Sequence, residues 1–290
     1  MTENMEFNNF LGLEDSFCRK ADSYFEIISL PYERTTSYGK GTSHAPEAII
    51  NASQFVELYD EQFRIEAYKN GIYTSKPVNV EGSIETVFGR IEDKIKNSLN
   101  ENRFPVCLGG EHSITFPVYK GFRAYFDNLS ILHFDAHSDL RESYEGSIYS
   151  HASVMHRIAG LGDPIVQVGI RSQCIEEAEF IREKGIHTFF AHDIIKNGFG
   201  KKIIDSLTSN VFITMDLDYF DPAIMPSTGT PEPGGFHWYE TIEFVKQVFN
   251  QKNVVGFDVV ELAPQNGTTH PDFFAAKLVY KLMTLKICLG

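Results

Sequence analysis

The chain has 290 residues, 42% hydrophobic and 13% aromatic, enough apolar material for a large buried core. Its formal net charge of −13 would repel a nucleic-acid backbone, and no basic stripe with interleaved aromatics offsets it. No apolar run is long enough to cross a bilayer, and the opening MTENMEFNNFLGLEDSF is acidic and polar where a secretory signal would be basic and then apolar. The expectation is a cytoplasmic protein with neither nucleic acid nor membrane as partner. Cys18, Cys107, Cys174 and Cys288 lie far apart without a C-x-x-C pair, which fits reduced thiols. Acidity would favour a cationic small molecule, although surface solubility accounts for it equally well.

In chain order, Tyr24–Leu30 reads as the first strand. A helix is expected from about Ser43, with Pro46 near its first position and Ile49, Ile50 and Phe55 behind it. Gly71–Val80 is a weaker strand candidate. After Glu81, the residues Ile84, Val87, Phe88, Ile91, Ile95 and Leu99 recur at helical spacing and define one buried helix face. Strands come next at Phe104–Leu108, Leu129–Phe134, Pro164–Gly169, His187–Phe190 and Val211–Met215. They are short, rich in Val, Ile and Phe, and show little polar alternation, as strands covered on both faces do. A helix over Phe236–Phe249, a strand over Asn253–Val260 and a helix over Phe273–Leu285 complete the set. Strand and helix in alternation specify βαβ units and a parallel sheet between helices. The expected fold is α/β: a three-layer α/β/α sandwich with a mostly parallel sheet of roughly eight strands. A single domain over residues 1–290 is the better reading.

Ligands of open parallel sheets bind beyond the carboxyl ends of the strands. The residues directly after each apolar run are therefore the place to look for chemistry. After Leu129–Phe134 comes Asp135-Ala136-His137-Ser138-Asp139, three ligand-type side chains at i, i+2 and i+4. After Val211–Met215 comes Asp216-Leu217-Asp218, and after Phe104–Leu108 comes Gly109-Gly110-Glu111-His112, whose glycines permit a tight turn. Four carboxylates brought together without cations would cost several kcal/mol. Two divalent ions would neutralise them, and shared Asp oxygens can bridge ions roughly 3.5 Å apart. Oxygen and imidazole donors without thiolate suit Mn²⁺, with Co²⁺, Ni²⁺ or Zn²⁺ as alternatives.

His151, in Tyr149-Ser150-His151-Ala152-Ser153 at an expected helix start, could relay a proton to a leaving amine. Glu261 comes directly after the strand Asn253–Val260 and could hold a planar cationic substrate by paired hydrogen bonds. The Pro/Gly-rich stretch from Phe220 to Gly235 is a rigid loop suited to a pocket wall. His44, His133, His156, His187, His192, His237 and His270 carry no pattern. His133 is read as packing, turned away from the Asp135 set.

These motifs resemble those of the ureohydrolase family, which includes arginases, agmatinases, guanidinobutyrases and formimidoylglutamases. The resemblance rests on Gly109–His112, Asp135–Asp139, Ser150-His151, Asp216–Asp218 with its Pro-rich loop, Glu261 with Pro264, and the entry segment Gly39–Ser43 with Ala45–Ile49. It runs from about residue 25 to about residue 285. It implies a binuclear manganese site, one ion on His112, Asp135, Asp139 and Asp216 and the other on Asp135, His137, Asp216 and Asp218. It also implies hydrolysis: a water activated by the metals attacks the guanidinium carbon, Asp139 orients it, Glu261 holds the guanidinium, and His151 delivers a proton to the departing amine. The products are urea and an amine.

The segment Asp139–Gly146 with Ser150-His151-Ala152 is most similar to bacterial and archaeal agmatinases. The Asn- and Ser-rich loop by which arginases bind an amino-acid head group is not visible, so agmatine yielding putrescine is the expected reaction. Guanidinobutyrate, arginine and formimidoylglutamate are the alternatives on the same chemistry. Ser227 stands where the family usually has Gly, and His237 where a smaller polar residue is frequent. Glu142 and Glu145 are candidates for the distal end of the substrate. The resemblance also implies a homo-oligomer, a trimer or hexamer. A one-metal zinc deacetylase is disfavoured by the presence of both His112 and Asp139. A metallophosphoesterase is disfavoured because no anion-binding Arg cluster accompanies the site. Nothing favours a metal-binding pseudoenzyme, since every ligand position and His151 are in place.

Overall fold

A computed structural model describes residues 8–290. The reading of the N-terminus falls partly on residues 1–7, which lie outside the described residues. Eight short apolar segments become strands: β1 (Phe25–Leu30), β2 (Ile72–Thr74), β3 (Phe104–Gly109), β4 (Leu129–Phe134), β5 (Ile165–Ile170), β6 (His187–Phe190), β7 (Asn210–Asp216) and β8 (Asn253–Val260). All are parallel, in the order β2-β1-β3-β8-β7-β4-β5-β6. Helices cover both faces, giving the three-layer α/β/α architecture.

Alternate residues of each strand feed two cores. On one face Ile28, Cys107, Ile131 and Phe212 pack against the Ile84–Asn100 and Thr115–Arg123 helices; on the other Ile27, Val106, Leu132 and Ile213 meet the Ala45–Ser53, Trp238–Gln251 and His270–Leu289 helices. Being buried on both sides explains why the strands carry no polar alternation. Edge strand β6 is the exception, because only β5 pairs with it and its residues are only partly buried or exposed.

Three expectations shift, each for a local reason. The strand sought over Gly71–Val80 is regular only at Ile72–Thr74, because Pro77 has no N–H to give to the ladder. Ser75 and Val78 still donate to Ile27 and Ser29 of β1. Phe55, expected on the apolar face of the Ala45–Ser53 helix, lies past its end and is 79% exposed. The helix sought from Phe236 begins at Trp238, where the His237 N–H donates to Glu240 at 2.6 Å in a capping box.

The register of the four central strands decides where the chemistry sits. Leu108 of β3 and Met215 of β7 both pair with Val259 of β8, and Met215 also pairs with Phe134 of β4. The next residues in the chain, Gly109, Val260, Asp216 and Asp135, are therefore level at one edge of the sheet. At that edge the β3 turn is bonded to both sides: Gly110 N donates to Leu30 O, Glu111 N to Tyr32 O, and Glu261 N to Gly110 O. The chain bends at Gly110 and Glu111, but neither Gly109 nor Gly110 has a positive φ. Gly110 is required for closeness instead: a Cβ there would lie 2.1 Å from the Tyr32 carbonyl oxygen. Gly110→Ala is expected to destabilise the protein by about 3 kcal/mol, since backbone and not a flexible side chain must move. Denaturant unfolding of the two proteins measures this; equal midpoints would refute the packing argument.

Candidate metal centre

The six side chains singled out at the strand ends converge. His112 projects from the 3-10 turn after β3, and its Nδ1 lies 3.1 Å from Asp135 Oδ2, 3.1 Å from Asp139 Oδ2 and 3.2 Å from Asp216 Oδ2. His137 Nδ1 lies 2.8 Å from Asp218 Oδ2 and 3.5 Å from Asp135 Oδ1. Asp135 thus offers one oxygen to each imidazole. Backbone amides fix the carboxylates: Asp218 N donates to Asp216 Oδ1, Ala136 N to Asp218 Oδ1, and His137 N to Asp135 Oδ1.

The fit to metal ions rests on one atom. His112 Nδ1 is buried and has no hydrogen-bond partner among the described residues, although three carboxylate oxygens surround it. Donor atoms that each lie about 2.1 Å from a common ion are roughly 3 Å from one another, which is the spacing found here. The opposite ring nitrogen, Nε2, is 2.9 Å from Thr214 Oγ1, and Thr115 Oγ1 donates to buried Asp258 beside it. The ring is thus anchored from behind with Nδ1 aimed at the carboxylates. The electrostatics agree. Burial together with Asp135 pushes Asp139 up to about 7, and burial with Asp218 and Asp135 pushes Asp216 well above the usual carboxylate range. Burial opposes protonation of His112, yet Asp135, Asp139 and Asp216 drive its pKa well up. Clustered acids of this kind call for cations.

Two residues here hold left-handed backbone, Asp139 at φ 53° and Glu261 at φ 66°. Such strain in non-glycine residues persists only where the surroundings enforce it. Glu261 Oε1 accepts the His112 N–H at 2.6 Å, and burial raises the pKa of this carboxyl group well above its ordinary value. His151 opens the short turn His151–Ser153, and burial lowers its pKa. Together with His137, Asp139, Asp216, Asp218 and Glu261, it lines a cavity of about 260 Å³. The Pro-rich loop supplies Gly229 and Thr230 to its wall, and the loop after β1 supplies Thr36 to Gly39, the last of these being the first residue of the entry segment. Ser227 is buried beside that wall and His237 is exposed at a helix start, so neither lines the cavity; nor do Glu142 and Glu145.

His133 is a correction. It is not turned away from the site: its Nε2 lies 2.7 Å from Asp135 Oδ2. Residues two apart on a strand share a face, so the spacing itself carried this signal. His133 could offer a donor atom to a cation. Both its nitrogens are engaged, however, Nε2 on Asp135 and Nδ1 on Gln167, whose Oε1 accepts from Thr188. The chain Thr188–Gln167–His133 therefore braces Asp135. Asp258 also escapes the motif reading, although an acid inside an apolar strand is a signal in itself. Glu111 and Thr35, which contact one another while Thr35 also contacts His151, lie 76 residues apart and share no local pattern.

The sequence profile of the Arginase family matches residues 23–285. This chain belongs to the arginase family. An N(1)-aminopropylagmatine ureohydrolase of Synechocystis sp. is 40% identical over 272 residues, covering 91% of this chain and 89% of that protein. An agmatinase of Pyrococcus horikoshii is 35% identical over 261 residues, with 89% and 90% covered. Among solved structures, the agmatine ureohydrolase of Thermoplasma volcanium superposes with a TM-score of 0.87 at 28% identity, over 98% of this chain and 96% of its own. The arginase-family sheet and the side-chain cluster at its edge are thus found together here. No helix among the described residues is long and apolar enough to cross a membrane.

Proposed function

We propose that the protein is a hydrolase that uses two Mn²⁺ ions to cleave the guanidino C–N bond of agmatine, releasing putrescine and urea. The observation that carries this reading is the buried, unpartnered His112 Nδ1 among three carboxylate oxygens. His112, Asp135, Asp139 and Asp216 would hold one ion, and Asp135, His137, Asp216 and Asp218 the other. Bound there, the ions supply Lewis acidity and bring the ionisation of water near neutral pH.

The remaining roles fall to the chain. Glu261 spends Oε1 on the His112 amide, which leaves Oε2, on the Gly229 side, to accept from the substrate guanidinium. Asp139, on the cavity wall, orients the attacking water. The water oxygen bonds to the guanidinium carbon and becomes the urea oxygen. Both protons of the water pass to the leaving nitrogen, one of them carried by His151, as the C–N bond breaks, so that guanidinium and water yield the protonated amine and urea in balance. Tyr38, 83% exposed at the cavity rim, offers an aromatic face to the cationic tail. We place the whole activity in one catalytic domain and expect a homo-oligomer, a trimer or hexamer.

A second reading, hydrolysis of the N1-aminopropyl derivative of agmatine, is favoured by the name of the 40% identical relative. Urea release by the Mn²⁺-loaded protein tests both, with agmatine, N1-aminopropylagmatine, guanidinobutyrate and arginine assayed separately. Either of the first two should exceed the others by about 100-fold in kcat/KM, and their ratio picks between the readings. No urea from any of the four, with two ions bound, would overturn the proposal.

A further inference from the structure

The residues behind His151 form a chain of hydrogen bonds from three separate segments. Glu111, fully buried after β3, accepts the Arg34 and Thr35 amides on Oε2, both at 2.6 Å. On Oε1 it accepts the Thr35 and Ser113 hydroxyls, also at 2.6 Å. Four donors converging on one side chain is the pattern of an acceptor-only carboxylate. Thr35 has a single hydroxyl proton, and the 2.6 Å contact with Glu111 claims it. The Thr35 oxygen then faces His151 with lone pairs alone. It accepts the His151 backbone N–H at 3.0 Å and stands 3.3 Å from His151 Nδ1. A favourable contact there requires the imidazole proton to sit on Nδ1. Ser150 Oγ, 3.4 Å from the same nitrogen, can accept from it as well.

We infer that Thr35 and Glu111 are positioning residues that fix His151 as its Nδ1–H tautomer, so that Nε2 faces the cavity and is the atom that takes up and returns the catalytic proton. The inference rests on the proposed role of His151 as proton carrier. It assigns to the loop after β1 a task beyond shaping the cavity wall. In the other tautomer Nε2 would carry the proton permanently, and the ring could not collect one from the attacking water at that atom. Glu111 acts through Thr35, as a carboxylate that orients an imidazole does in a hydrolytic triad, with one hydroxyl interposed.

The decisive measurement is the ¹⁵N spectrum of histidine-labelled protein loaded with diamagnetic Zn²⁺, the His151 signals being identified by their loss in His151→Asn. A protonated Nδ1 and a bare Nε2 are expected in the parent, with the tautomer reversed or mixed in Thr35→Val. The opposite tautomer in the parent overturns the inference, whatever the substrate. With agmatine and the Mn²⁺-loaded protein, Thr35→Val should lower kcat about 10- to 100-fold, leave KM within about threefold and retain two ions per subunit. Thr35→Ser, which keeps the hydroxyl, should restore kcat to within about threefold of the parent. Parental kcat in Thr35→Val, or a Thr35→Ser no better than Thr35→Val, overturns the inference. His151→Asn separates the two levels. Full activity there removes the proton-carrier role itself, whereas loss there beside a normal Thr35→Val removes only the role of the pair.

Discussion

Asp135→Asn is expected to lower kcat with agmatine by at least about 10³-fold and to reduce bound metal from two ions per subunit to one or none. Asp135 is the carboxylate shared by the two halves of the site, with Oδ2 at His112 and Oδ1 toward His137. Asn keeps the shape, removes one negative charge, and replaces one oxygen by an NH₂ group. Wherever that NH₂ points it meets a donor: the His137 amide on the Oδ1 side or His133 Nε2–H on the Oδ2 side. One such donor–donor contact in a buried site costs on the order of 1–3 kcal/mol, in addition to the lost metal ligand. Metal analysis of the purified variant and urea release measured together check this, with an unfolding curve to show that the variant is folded. A folded Asp135→Asn with two ions and parental turnover would refute the shared role.

Glu261→Gln should separate from that behaviour. It is expected to lower kcat/KM with agmatine by about 100- to 1000-fold while both ions stay bound. Gln can keep its oxygen on the His112 amide, so the segment that carries His112 stays in place. The atom left for the cavity is then an amide NH₂, which presents donors to a guanidinium that itself has only donors. The loss therefore comes from substrate contact rather than from the metal site. Titration with Mn²⁺ and steady-state kinetics on the same preparation decide the matter. Weakened metal binding in Glu261→Gln would mean that this residue works mainly by holding His112, not the substrate.

Much of this architecture is legible in the sequence because the physics is local. A strand buried on both faces is predominantly apolar with little polar alternation, and β1, β3, β4, β7 and β8 can be recognised from that alone. Boundaries slip where a single residue changes the bonding, as Pro77 does for β2 and the His237–Glu240 cap does for the penultimate helix. The candidate site is legible because its acids come directly after apolar runs, and the rule that parallel sheets bind at their carboxyl ends gathers them in advance. The groups that support those acids are not. His133 is recoverable only from its i, i+2 relation to Asp135. The contacts from Thr35 to Glu111 and from Gln167 to His133 join segments distant in sequence, and no periodicity within either segment announces them. Glutamates 142 and 145 show the converse: their place beside the motif suggests substrate contact, yet the chain turns them outward.

The position of β8 between β3 and β7 has a consequence for synthesis. Until residues 253–260 have been made, the nascent chain can form only two partial sheets, β2-β1-β3 and β7-β4-β5-β6. The first carries His112, while the second carries Asp135, Asp139 and Asp216. Each has an open, apolar edge at which another nascent chain could add. The last strand is thus the keystone, and only its arrival joins the His112 imidazole to the carboxylates. The ion assigned to His112 therefore cannot meet its full ligand set on the unfinished polypeptide, whereas Asp135, His137, Asp216 and Asp218, the set assigned to the other ion, already share the second partial sheet.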